Sequence, residues 1–83
     1  MTLESFDRVG AEYHVSFVPS PGETASDALL EWKCRMPKAL RTWDADRGVW
    51  KLPVHADVES LLADIWPEAR SLMLALKNQM SLF

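Results

Sequence analysis

The chain has 83 residues, 48% of them hydrophobic, with one cysteine and a formal net charge of −3. That describes one small domain with enough apolar mass for a core, and too little glycine and proline for a disordered segment. A single thiol excludes an internal disulfide, and with only His14 and His55 beside Cys34 a zinc site lacks ligands, so neither metal nor cofactor is expected.

The opening residues, MTLESFDRVG, hold Glu4, Asp7 and Arg8 but no apolar run. No secretory signal is read there, and 1–11 is expected to be an N-terminal segment ahead of the core. From Glu12 to Pro19, Tyr13, Val15 and Phe17 alternate with His14, Ser16 and Val18, the pattern of a half-buried strand. Pro21-Gly22 breaks it. Thr24, three residues before Asp27, then caps a helix whose apolar stripe is Ala25, Ala28, Leu29, Trp32 and Met36. Pro37 ends that helix, because the residue before a proline is pushed out of the α region.

Arg41–Asp44 and Val49–Val54 predict two strands joined by Ala45-Asp46-Arg47-Gly48, with Asp44 capping the turn and Gly48 in the left-handed conformation. Trp50, Leu52 and Val54 share one face, which makes Trp50 a core anchor. Trp43, beside Arg41 and across from Lys51, either packs in the core or stays partly exposed. Asp57 is expected to cap a second helix with the stripe Val58, Leu61, Leu62, Ile65 and Trp66. Pro67 fits the first turn of a third, with Ala69, Leu72, Met73, Leu76 and Met80 in line. The expected fold is α+β: a small antiparallel or mixed three-stranded sheet with helices on one face, in the order β-α-β-β-α-α.

The hairpin and its surroundings, "MPKALRTWDADRGVWKLPVHADVESLLADI", resemble HARP domains, the HepA-related modules of DNA-annealing helicases. Pro37, Trp43-Asp44, Trp50, Pro53 and the Leu61-Leu62-Ile65 stripe carry the resemblance. Small "WD…W.vP" domains of mobile-element proteins are similar too. The likeness spans residues 12–66; the third helix, 67–83, has no counterpart in the pattern, and Lys38-Ala39-Leu40 stands where a glycine is often found. No nucleotide-binding loop of the G-x-x-x-x-G-K-[ST] kind accompanies it. The resemblance implies a module-type role in nucleic-acid handling.

Charge is unevenly spread. Residues 33–51 carry a net +4, whereas the segments before and after are acidic. Single-strand binders combine cations with aromatic stacking, so Lys38, Arg41, Trp43, Arg47 and Lys51 form the candidate site for DNA or RNA. An ordinary solvated face explains the same cations, and overall acidity slows encounter with a polyanion. Enzyme chemistry is not expected: Cys34 sits between Lys33 and Arg35, but no spacing completes a catalytic unit with His14 or His55. Asp44 and Asp46 lack the further acids of a calcium loop. The alternative is a protein-interaction or inhibitor protein of phage or mobile-element type. It would act through its acidic flanks and through Leu74, Met80, Leu82 and Phe83, on another protein or as a homodimer. The longest apolar run, Leu72–Leu76, falls far short of the ~20 residues that span a bilayer. No membrane partner is expected, and the expected location is cytoplasmic.

Overall fold

Gly10 is where the chain first doubles back. It has φ +60 and is the first of two residues linking strand β1 (Thr2–Val9) to β2 (Glu12–Val18). A left-handed residue at the first position of a two-residue loop is the signature of the II′ hairpin, which matches the twist of its strands. The computed structural model describes residues 1–81, and side chains as far as Lys77. After β2 come α1 (Ala25–Arg35), a 3₁₀ turn (Lys38–Leu40), β3 (Thr42–Asp44), β4 (Val49–Pro53), α2 (Ala56–Ile65) and α3 (Ala69–Ser81).

The strands form one antiparallel sheet in the order β1-β2-β4-β3. This corrects the sequence expectation: the sheet has four strands, the order is β-β-α-β-β-α-α, and the segment read as preceding the core supplies a strand. The extra strand was hidden by a bulge. The β1–β2 register shifts between Leu3 and Ser5, so Leu3 and Phe6, three apart, lie on the same face. Period-two reading fails across that point.

On that face Phe6 packs 5.3 Å from the Tyr13 ring. Tyr13, Val15 and Leu52 meet Trp32 of α1 and Met36 at its C-cap, Val58 and Leu62 of α2, then Trp66, Ala69 and Met73. The opposite face carries Ser5, Asp7, His14, Ser16, Thr42 and Lys51 in register, a polar surface of the kind that leaves one side of an antiparallel sheet to water. His14, at its centre, is nonetheless only 8% exposed.

The local signals are realised as follows. Thr24 Oγ1 accepts the Asp27 N–H at 3.1 Å to start α1, and the helix stops at Met36 ahead of Pro37. In the β3–β4 turn, Asp44 Oδ1 accepts the N–H groups of Asp46 and Arg47 at 3.1 and 3.2 Å, while Gly48 has φ +67. The cap of α2 differs from expectation. It is His55, whose Nδ1 accepts the Asp57 N–H at 3.2 Å, and Asp57 lies in the first turn, where its charge suits the helix dipole. Pro67 precedes α3 by one turn, closed by Ala69 N–H on the Trp66 carbonyl at 2.9 Å.

Candidate functional site

The four tryptophans form one row from surface to core. Trp43 lies 5.1 Å from Trp50, Trp50 5.7 Å from Trp32, and Trp32 5.8 Å from Trp66 between ring centroids. The inner end is fixed by a hydrogen bond from Trp66 Nε1 to the Met1 carbonyl at 3.2 Å. The outer end is open: Trp43 is 51% exposed and Trp50 is half-buried. The cross-strand partner of Trp43 is Trp50, not Lys51, because Asp44↔Val49 closes the four-residue turn and fixes the register behind it.

Beside this outer pair a groove of about 460 Å³ opens between α1, β2 and the β3–β4 hairpin. Phe17, Trp43 and Trp50 form an aromatic floor, and Leu29 and Lys33 project from α1, one turn apart. The alternation of β2 places Phe17 there, and the i, i+4 step of a helix places Lys33 beside Leu29. Phe17 also touches Trp32, 5.4 Å between centroids, which ties the groove to the core.

The residues expected to bind together are divided by the sheet. Lys51 lies on the polar face, opposite Thr42 and His14, with Nζ 3.9 Å from Asp44 Oδ2. Arg41 is half-buried and Nη1 donates to the Met36 carbonyl at 2.9 Å, satisfying the end of α1. Lys38 is exposed in the 3₁₀ turn, and Arg47 is exposed in the β3–β4 turn, outside the lining of the groove. Phe17, Leu29, Lys33 and Trp50 are groove residues that the sequence reading did not place in the site. Their signal was present in strand and helix periodicity, but the convergence of three elements on Trp43 is a tertiary fact.

A second groove, of about 420 Å³, runs between α2 and α3, with Glu59, Arg70, Leu74 and Lys77 on its walls. Leu74, expected as a partner contact, is 60% exposed there; Leu82, Phe83 and the side chain of Met80 lie outside the described residues. Two ionic groups of this groove, Glu59 and Lys77, are tied to each other. Tyr13 Oη donates to Glu59 Oε2 at 2.5 Å, and Lys77 Nζ donates to Glu59 Oε1 at 3.0 Å. Burial, then the Glu59 carboxylate, push the Tyr13 phenol up to about 12. Burial alone raises Glu59, but the hydrogen bonds from Tyr13 and Lys77 outweigh it and hold the carboxyl below its ordinary range. This is a brace joining β2, α2 and α3.

Among the described residues no group of three His, Cys, Asp or Glu could hold a metal ion, and no helix is long and apolar enough to cross a membrane. Cys34 is exposed on α1, and His55 uses Nδ1 to cap α2. No protein-family model matches this chain, and neither a curated protein nor a solved structure matches it.

Proposed function

We propose that the chain is a non-enzymatic binding module whose aromatic groove takes an unpaired base of a single-stranded nucleic acid. The observation that carries this reading is a half-exposed Trp43, held by Trp50 beneath it, facing Lys33 across the groove. An exposed indole on a rigid support is a stacking platform whose ordering cost is already met by folding. Lys33 in the wall supplies charge for an adjoining phosphate. The likeness of the hairpin to HARP modules points the same way.

Base stacking on an aromatic is worth ~1–3 kcal/mol. Trp43→Ala is therefore expected to weaken binding of a single-stranded oligonucleotide by roughly 5- to 150-fold, read as quenching of tryptophan fluorescence in low-salt buffer. An unchanged affinity in the variant, or no binding by the wild type, would sink the proposal.

A second reading rests on α1, where Leu30 is 64% exposed and Leu29 39% exposed next to the same groove. Apolar surface around a tryptophan is also how a protein partner is gripped. In that case Leu30→Glu abolishes complex formation while leaving oligonucleotide affinity unmoved.

A further inference from the structure

The groove contains an unpaired piece of β-sheet edge. The Val54 N–H donates to the Ala11 carbonyl at 3.0 Å, and this fixes the phase of the ladder between β2 and β4. In an antiparallel pair, alternate residues turn both backbone groups to the same neighbour. Ala11, Tyr13, Val15 and Phe17 therefore address β4, and Glu12, His14 and Ser16 address β1. The pairing with β4 runs from Glu12↔Pro53 to Val15↔Trp50 and stops.

Continued by one step, it would join Phe17 to Gly48. Gly48 has left the strand: its N–H donates to the Asp44 carbonyl at 2.8 Å as part of the hairpin turn. Phe17 thus directs an N–H and a C=O across the gap to Gly48 with no backbone partner among the described residues. Both residues line the groove. Adding a Cβ at Gly48 would meet nothing within 4 Å, so space is open beside Gly48.

We infer that the Phe17 backbone reads the edge of a base stacked on Trp43, its N–H donating to a ring or carbonyl acceptor and its C=O accepting from the adjacent ring or amino N–H. The inference rests on the nucleic-acid reading of the groove and says how the base is held. A donor and an acceptor side by side match the hydrogen-bonding edge of an unpaired base. A strand-edge amide left unpaired in an otherwise laddered sheet is also the position at which an extended segment adds. The lysine in the wall favours the anionic ligand.

The test uses the full chain and a thymine homo-oligonucleotide of about twelve nucleotides, within the range one small module occupies. Four outcomes are expected together. In the free protein the Phe17 amide exchanges with solvent much faster than those of Tyr13 and Val15. Adding the oligonucleotide protects it and shifts its NMR signal. Methylating thymine N3, which keeps the ring but removes the donor that Phe17 C=O accepts, weakens binding by about tenfold, as expected for a lost hydrogen bond at a desolvated site. An α-hydroxy analogue of phenylalanine at position 17, which replaces only the N–H, has a similar effect with the side chain intact.

If the oligonucleotide binds and Trp43→Ala weakens it, but N3-methylation and the ester change nothing, the edge reading is wrong and the stacking site stands. If nothing binds, both fall. Protection of Phe17 that grows with protein concentration alone assigns the edge to strand addition between copies and overturns the base.

Discussion

At the scale of single residues, the Tyr13–Glu59–Lys77 brace makes a claim about pH. Tyr13 is fully buried, and its phenol, which ionises near 10 in the unfolded chain, is pushed up to about 12 in the fold. Between these values the folded state keeps a proton that the unfolded state has lost. Stability present below pH 10 is therefore lost as the pH rises towards 12, on the order of 2–3 kcal/mol in all. Tyr13→Phe keeps the ring in the core and removes the group that titrates. At neutral pH it is expected to cost about 1–3 kcal/mol, because Glu59 loses a hydrogen-bond donor. The same variant should lack the Tyr13 part of the alkaline decline, so the two urea-denaturation curves converge between pH 10 and 12. Parallel loss of stability in both proteins over that interval would show that the phenol does not carry it. Trp32 is the opposite case: its buried Nε1 has no partner among the described residues, and nothing in the structure explains it.

At the scale of elements, β1 shows both what the sequence made legible and where it stopped. Strands and helices whose apolar residues keep a single period were readable: Tyr13, Val15 and Phe17 in β2, Trp50 and Leu52 in β4, Ala28 and Trp32 in α1. Asp44 and Gly48 announced their hairpin because a carboxylate cap and a left-handed glycine act within four residues. The strand β1 was not readable because Glu4 interrupts its phase, so that Leu3 and Phe6 looked unrelated. His55 escaped as a helix cap because an imidazole nitrogen is a less usual acceptor there than the aspartate two residues on. The bulge itself can be tested. Deleting Glu4 leaves Leu3 two positions from Phe6, in step with Phe17 and Val15 across the hairpin, and forfeits only an exposed hydrogen bond from Ser16. The deletion is expected to change the unfolding free energy by less than about 1 kcal/mol, within the range of ordinary surface changes. Deleting Asp7 instead puts the residues before it out of step with the Val9↔Glu12 end, turning Phe6 away from the core, and should cost several times more. Equal losses in the two deletions would mean that Glu4 is not the residue that re-phases the strand.

At the scale of the whole molecule, the fold decides how much of the central +4 block a ligand can feel. A linear reading groups Lys38, Arg41, Trp43, Arg47 and Lys51, but among the described residues none of those cations lines the groove, whose charged wall residue is Lys33. Lys51 is on the other side of the sheet beside Asp44, and Arg41 is bonded to a helix-end carbonyl. This geometry sets a salt dependence. Each phosphate neutralised on a single strand contributes about −0.7 to the slope of log affinity against log salt. One groove cation gives a slope of about −0.7, whereas the four cations of the linear grouping would give about −2.8. Lys33→Glu is expected to bring the slope close to zero and to remove binding at moderate salt. Lys51→Glu should leave the slope unchanged and lower affinity only slightly, by adding to a net charge that is already −3. Its field acts across the sheet and fades over a Debye length of about 10 Å at 0.1 M salt. A slope near −2.8 that falls with Lys51→Glu would mean that the polyanion wraps the polar face, and that the cations, rather than the tryptophan row, determine where it lies.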